Sequence, residues 1–181
     1  ISGCEAAFID GRAEVVVANC EGETWLRSMI DWMETPRRLW DLKTTGMVAA
    51  PWGIGRMMVD AGWDVQAAMQ ERILDVLDPD GAGRRTFRFV CVENEPPFAA
   101  TVSELTESVM TMGRKKLTYA IDLWQRCMAS GDWPAYPAEI ILPEYPGFKE
   151  TLWLNREVQE YERAERRGAK REPMLTTLMG G

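Results

Sequence analysis

The stretch Asp41-Leu42-Lys43-Thr44-Thr45, read together with Asp31 ten residues upstream, decides the fold expected for this chain. Apolar and polar residues alternate over 24–33, a strand pattern follows over 38–43, and Glu34-Thr35-Pro36-Arg37 lies between the two runs. A period of two predicts β-strands, and a short proline-containing segment between them predicts a turn. The quoted stretch is therefore expected on the second strand of a β-hairpin.

A regular hairpin centred on Pro36 would place Asp31 directly opposite Asp41, with their Cβ atoms about 5 Å apart. Lys43 would project from the same face as Asp41, while Trp32 and Trp40 would form a packed cross-strand pair on the other face. Like charges in opposite positions repel each other unless a cation neutralises them. The hairpin thus predicts a site for a divalent cation.

Strand and helix patterns also follow one another outside the hairpin. We predict strands over 12–20, 86–94 and 98–105, a loop or short helix from 46, an amphipathic helix over 63–77, a long helix over 106–130 and a charged helix over 149–167. This order predicts an α/β (α+β) fold with a mixed sheet of about five strands flanked by helices. We expect one domain over 1–181, with a core at about 12–145 and a helical extension at about 146–181.

The composition restricts the chemistry that the chain can perform. None of its 181 residues is histidine, which excludes Ser-His and Cys-His nucleophiles and imidazole zinc sites. The four cysteines are widely spaced and no apolar run could span a membrane, so a cytoplasmic protein with reduced thiols is expected. The net charge of -7 argues against a nucleic-acid partner, although basic residues cluster locally. Any catalysis is expected to depend on carboxylates, lysine and metal.

The charged residues of the hairpin have the chemistry of a metal-dependent phosphodiester hydrolase. Mg²⁺ prefers hard oxygen ligands, so Asp31, Asp41 and the backbone carbonyl of Leu42 are predicted to coordinate Mg²⁺, with Mn²⁺ as a substitute. Lys43 beside the metal could orient or help deprotonate the attacking water and stabilise charge on the phosphate. An Asp-x-Lys triplet also occurs by chance, and the same residues could form a solvated cross-strand ion pair.

Several separate motifs follow one another in a fixed order. They are MIDW at 29–32, DLKTT at 41–45, GWDVQAA at 62–68, FVCVENEPP at 89–97 and GDWPAY at 131–136. Together they resemble the PD-(D/E)xK nucleases over about 12–145, and within these the exonuclease VIII (RecE-like) branch related to lambda exonuclease. The resemblance implies a restriction-endonuclease-like core.

For function, the resemblance implies a Mg²⁺-dependent exonuclease that degrades one strand of linear double-stranded DNA from its 5′ end in phage-type recombination. It also implies a homo-oligomeric ring around the DNA and a single-strand annealing protein as partner. Position by position, Asp31, Asp41 and Lys43 match the catalytic acids and lysine, and Gln66 matches a helix glutamine that holds the site or the DNA end. Weaker candidates for DNA contact are Thr44, Thr45, Arg114, Lys115 and Lys116.

The chain also departs from the family pattern. Gln70 stands where many relatives carry tyrosine. Relatives normally have an N-terminal helical region, sometimes with a histidine ligand, before the first strand, whereas this sequence has few residues before Arg12; such a region is either lacking or contributed by sequence outside it. Glu14 is a further accessory candidate because related nucleases often carry an upstream acid, although a simple hairpin places it near Ile30 on the wrong face. Two alternatives therefore stay open: a catalytically weak or inactive nuclease-fold subunit that binds DNA or a partner protein, and an acidic interaction domain with an incidental triplet.

Overall fold

The computed structural model describes residues 4–166, which contain one five-stranded sheet. The strands are β1 Arg12–Glu21, β2 Thr24–Thr35, β3 Arg38–Thr45, β4 Thr86–Glu93 and β5 Ala100–Glu104. The α-helices are α1 Pro51–Asp60, α2 Trp63–Leu77, α3 Glu107–Ser130 and α4 Gly147–Arg166. Short 3-10 turns at Glu5–Phe8 and Pro79–Gly81 precede β1 and follow α2.

The strands lie in the sheet in the same order as in the sequence, β1-β2-β3-β4-β5. Neighbouring strands are antiparallel except for β3 and β4, which pair in parallel. Parallel neighbours cannot be joined by a tight turn, so α1 and α2 form the crossover between them. The mixed five-stranded sheet with helices confirms the predicted fold class.

The hydrophobic core lies between one face of the sheet and helices α1, α2 and α3. Ile30, Leu39 and Phe89 on the strands and Ile73 on α2 are almost completely buried. Alternate strand positions face the opposite side, where Val16, Met29 and Leu42 are exposed. The sheet is thus covered on its helical face and more open on the other.

The β2–β3 hairpin has the predicted register at its centre, where Trp32 pairs with Trp40 and Met33 with Leu39. It is not regular, however, because the register shifts after Met33 and Thr35 pairs with Arg38. The extra residue on β2 forms a bulge and leaves only 36–37 for the turn. The prediction of a regular hairpin was therefore wrong at its turn end.

The chain divides into two compact units, Ile1–Trp133 and Pro134–Gly181. All members of the buried hydrophobic cluster lie at or before Ile121. The single domain with a core over about 12–145 stays a prediction. The extension predicted for 146–181 is helical over Gly147–Arg166, and its remaining residues lie outside the described part of the chain. Among the helices of residues 4–166, none combines the length and apolar character needed to cross a membrane.

Candidate active site

Asp31 and Asp41 lie where β2 and β3 stop pairing. The last backbone pair on this side is Trp32 with Trp40, and Asp31 and Asp41 are the next residues along the two strands. Oδ2 of Asp31 instead accepts a hydrogen bond from the backbone N–H of Leu42 at 2.9 Å. The structure therefore brings the two predicted acids together at an opening between the strands.

Lys43 and Gln66 join β3 to the beginning of α2. The Lys43 ammonium donates to Oε1 of Gln66 at 2.8 Å and also contacts the Asp41 carboxylate. The Gln66 amide in turn donates to Oδ2 of Asp41. These three side chains form a closed triangle, which holds the ammonium against the carboxylate. The ammonium also lies 5.6 Å from the centroid of the Phe89 ring.

Asp41 is the buried acid of this group, with 6% of its side chain exposed. Burial raises the pKa of its carboxyl, Lys43 and the Gln66 hydrogen bond oppose that rise, and the nearby Asp31 charge adds to it. Oδ1 of Asp41 has the ion-pair contact from Lys43 but no hydrogen bond within the described residues. A buried carboxylate oxygen of this kind, next to a second carboxylate, is suited to a divalent cation.

The carboxylates at this position match the ligand preferences of Mg²⁺, the cation that the sequence predicts. In residues 4–166 no cluster of three or more His, Cys, Asp or Glu could hold a metal ion, so the side chains offer two carboxylates at this position. Mg²⁺ characteristically keeps several waters and binds through one or two carboxylates together with substrate phosphate. Asp31 and Asp41 fit this pattern, and the Leu42 carbonyl as a third protein ligand stays a prediction.

Glu14 lies one position away from where the simple hairpin placed it. Ala13 pairs with Trp32 and Val15 with Ile30, so Glu14 is level with Asp31 rather than with Ile30. The predicted register was wrong by one residue because the turn consists only of 22–23. The φ of Glu14 is 52°, a left-handed conformation that costs a non-glycine residue about 1–2 kcal/mol. Its accessory role stays a prediction.

The Gln70 and Thr45 side chains have protein partners. Gln70 is buried on α2 and donates to the backbone carbonyl of Met29 at 3.2 Å, so it ties α2 to β2. Thr44 and Thr45 end β3, and the hydroxyl of Thr45 accepts a hydrogen bond from the Met47 N–H at 3.0 Å. Gln70 is therefore outside the triangle, and DNA contact by the threonines stays a prediction.

Two of the three basic residues of α3 predicted to contact DNA form ion pairs with α2. Arg114 donates to both carboxylate oxygens of Glu71, at 2.6 and 2.8 Å, and this holds the pKa of Arg114 above its ordinary value. Lys116 donates to Oδ2 of Asp64 at 2.6 Å, and Asp64 is almost completely buried. Lys115 is exposed. The sequence analysis did not identify Asp64 or Glu71. Their ion pairs with Lys116 and Arg114 hold α3 against α2.

Comparison with known proteins gives a family for this arrangement. The family model described as a PDDEXK-like domain of unknown function (DUF3799) matches residues 3–142. The chain belongs to this PDDEXK-like family. Membership of this family confirms the predicted PD-(D/E)xK superfamily. It does not test the finer prediction of the exonuclease VIII branch.

A solved structure shares the fold of this PDDEXK-like chain. It is the crystal structure of a protein from Eubacterium rectale that is provisionally described as an exonuclease, with a TM-score of 0.59 and 11% sequence identity. The match covers 81% of this chain and 59% of that one. Comparison with curated proteins gives no match. The PDDEXK-like chain therefore has the nuclease-type fold, and it spans little more than half the length of its structural neighbour.

Proposed function

We propose that this chain is a metal-dependent nuclease that hydrolyses DNA phosphodiester bonds at the site formed by Asp31, Asp41 and Lys43. The observation that carries the proposal is the Gln66 bridge, which joins Lys43 and Asp41 from a separate element. A solvated cross-strand ion pair would require neither a buried carboxylate nor an amide from another helix. Membership of a PDDEXK-like family supports the same chemistry.

Each residue has a separate function in this proposal. Asp31 and Asp41 would hold Mg²⁺, or Mn²⁺ in its place, and the bound cation would stabilise phosphate charge and lower the pKa of a bound water. Lys43 would donate a hydrogen bond to the phosphate or to the attacking water. Gln66 orients the Lys43 ammonium, since its two amide atoms bind Lys43 and Asp41 at once. Burial shields the Asp41 carboxylate from bulk water, while Asp31 and Lys43 stay partly exposed.

We further propose exonuclease action on linear double-stranded DNA, in the 5′ to 3′ direction, in phage-type homologous recombination. The order of motifs along the chain supports this finer statement through its resemblance to exonuclease VIII. The same resemblance is the support for a homo-oligomeric ring around DNA ends, a single-strand annealing partner and a cytoplasmic location in a bacterial or phage-infected cell. The structural neighbour provisionally described as an exonuclease agrees with the reaction class.

A second candidate function is a nuclease-fold subunit that binds DNA or a partner protein without cutting. Two observations favour it. The net charge is -7, and Arg114 and Lys116 are already engaged with acids of α2. Fewer basic groups are then left for phosphate contacts, which normally supply most of the affinity for DNA.

Cleavage of linear and circular duplex DNA, with and without Mg²⁺, separates the two candidates. We expect Mg²⁺-dependent loss of the linear form only, and loss of this activity in Lys43→Ala but not in Lys149→Ala, a control at an exposed lysine of α4. Substrates labelled at the 5′ or the 3′ end report the direction. Intact linear DNA at high protein concentration would reject the nuclease, and DNA binding under the same conditions would support the subunit.

A further inference from the structure

Phe89 lies on the helical face of the sheet, next to the candidate active site. It is the first residue of the FVCVENEPP motif and pairs with Asp41 in the parallel register of β3 and β4. Register partners project from the same face of a sheet, and the Gln66 amide of α2 donates to Asp41 on that face. Phe89 is 2% exposed, so it belongs to the core and at the same time borders the triangle of Asp41, Lys43 and Gln66.

Two groups contact the Phe89 ring. The Trp63 ring stacks on it, with the ring centroids 5.1 Å apart and the planes 16° from parallel. The Lys43 ammonium lies over the ring, 5.6 Å from its centroid and within the range of about 6 Å in which a ring face attracts a cation. Trp63 and Gln66 are three positions apart on α2 and so lie on one side of the helix. One side of α2 therefore supplies both the indole that packs against the Phe89 ring and the amide that binds Lys43.

The contact with the ring leaves a donor of the Lys43 ammonium free. An ammonium has three N–H donors, and within residues 4–166 that of Lys43 binds Oε1 of Gln66 and the Asp41 carboxylate. A third polar acceptor would occupy the remaining N–H, whereas a ring face attracts the charge without a fixed acceptor. Because only 24% of the Lys43 side chain is exposed, the ammonium is partly desolvated, and such contacts are then stronger.

We infer that Phe89 is a positioning residue of the candidate nuclease site, and that its ring holds the Lys43 ammonium by a cation–π contact with one N–H left for the substrate. The inference rests on the proposed function, because it takes Lys43 as the donor to the phosphate or the attacking water. Phe89 itself contacts neither. A phenylalanine that only fills the core would act through the shape of its ring, whereas a hold on a cation depends on the negative charge of the ring face.

Phe87 is the matched control on the same strand. It lies two residues before Phe89 on the same face, is 3% exposed and pairs with Leu39 instead of an acid. In the part of the chain that the structure describes, no cation lies over its ring. Phe87→Leu and Phe89→Leu therefore remove the same atoms from the same core. Fluorinated phenylalanines at either position nearly keep the shape of the ring and withdraw negative charge from its face, so they provide a second series if a leucine variant fails to fold.

The first experiment needs no metal and no cleavage. The chain contains five lysines, so ¹³C-labelled lysine gives few NMR signals, and that of Lys43 is identified by its loss in Lys43→Ala. In buffer with EDTA we expect the ε-CH₂ protons of Lys43 to be displaced from those of the other lysines by the ring current of Phe89. Phe89→Leu should remove most of this displacement and Phe87→Leu should keep it. No displacement in the wild-type chain, or an equal change in both variants, would overturn the inference.

The second experiment measures cleavage of linear duplex DNA with Mg²⁺ by chains that carry mono-, di- or trifluorophenylalanine at position 89 or 87. We expect kcat to fall stepwise along the series at 89, by about fivefold for the trifluorinated ring, with KM unchanged and no trend at 87. Equal rates along the series at 89 would reject the positioning role and leave the nuclease. A wild-type chain that cuts no duplex would reject the nuclease and the positioning role with it, and a Lys43 displacement seen by NMR would then report a packing contact.

Discussion

At the scale of single residues, Asp41 determines how the site responds to pH. Burial is the largest influence on its carboxyl and raises the pKa, and the charge and hydrogen bond from Lys43 only partly offset this rise. The folded chain therefore holds the Asp41 proton more tightly than the unfolded chain does. Ionisation of Asp41 then lowers the free energy of unfolding as the pH rises above the ordinary range for aspartate.

We expect Asp41→Asn to abolish cleavage while it leaves the free energy of unfolding in metal-free buffer near pH 7 unchanged or higher. The difference from the wild-type chain should shrink as the pH falls, because wild-type Asp41 then takes up its proton and becomes neutral as well. Urea unfolding with EDTA near pH 7 and near pH 4 measures both differences. A large loss of stability at neutral pH would instead show that the ion pair with Lys43 outweighs the cost of burial.

At the scale of elements, the close packing of α3 on α2 supports the site, because the first turns of α2 carry Gln66. A Cβ atom at Gly113 would overlap the backbone carbonyl of Asp64, so α3 could not keep its present distance. We expect Gly113→Ala to destabilise the chain by about 1–3 kcal/mol and to reduce cleavage. Gly55 on α1 is the matched control, since a Cβ there meets nothing within 4 Å. Gly55→Ala should be neutral or stabilising by up to about 1 kcal/mol in urea unfolding.

The ion pair between Lys116 and Asp64 provides a second test of this contact. Removing the lysine leaves a buried carboxylate without its partner, so Lys116→Ala should cost about 1–3 kcal/mol, while the exposed Lys115→Ala should change stability by less than about 0.5 kcal/mol. Thermal and urea unfolding measure the difference. If both variants were equally stable and both bound DNA more weakly, with a smaller dependence on salt, the predicted DNA contacts would be favoured instead.

The elements were more predictable from the sequence than their contacts. The helix predicted over 63–77 has the same bounds as α2, and the strands were located to within about two residues, because periodicity and turn residues are local signals. The register of Trp32 and Trp40 followed from the Pro36 turn. The bulge before that turn has no comparable local signal.

Within the candidate site, the residues that belong to sequence motifs could be predicted, and the ion pairs outside the motifs could not. Asp31, Asp41, Lys43 and Gln66 come together as the motif order implies. The pairing of Lys116 with Asp64 was missed because it joins residues 52 positions apart, on two helices whose relative rotation is set by core packing. An acid next to Trp63, at the start of an otherwise apolar helix face, was the available signal. A charge run such as 114–116 does not by itself distinguish DNA contacts from internal ion pairs.

At the scale of the whole molecule, the first compact unit contains the complete buried cluster. Residues 134–166 contribute no buried side chain, and every member of the cluster lies at or before Ile121. We expect a chain ending at Trp133 to unfold cooperatively, with a midpoint temperature within about 8 °C of the full chain. Circular dichroism during heating measures this. A broad, non-cooperative transition would show that the second unit is required for folding.

The parallel pairing of β3 with β4 has a consequence for the order in which the site is assembled. The β1–β2–β3 hairpins join neighbouring segments, which is a fast event, whereas β4 reaches β3 only after the intervening segment with both crossover helices has closed. During refolding, Asp31 and Asp41 should therefore meet early, and Gln66 should reach them only when α2 docks. A partly folded chain would hold the acids without a positioned lysine, so nuclease activity should return later than hairpin structure.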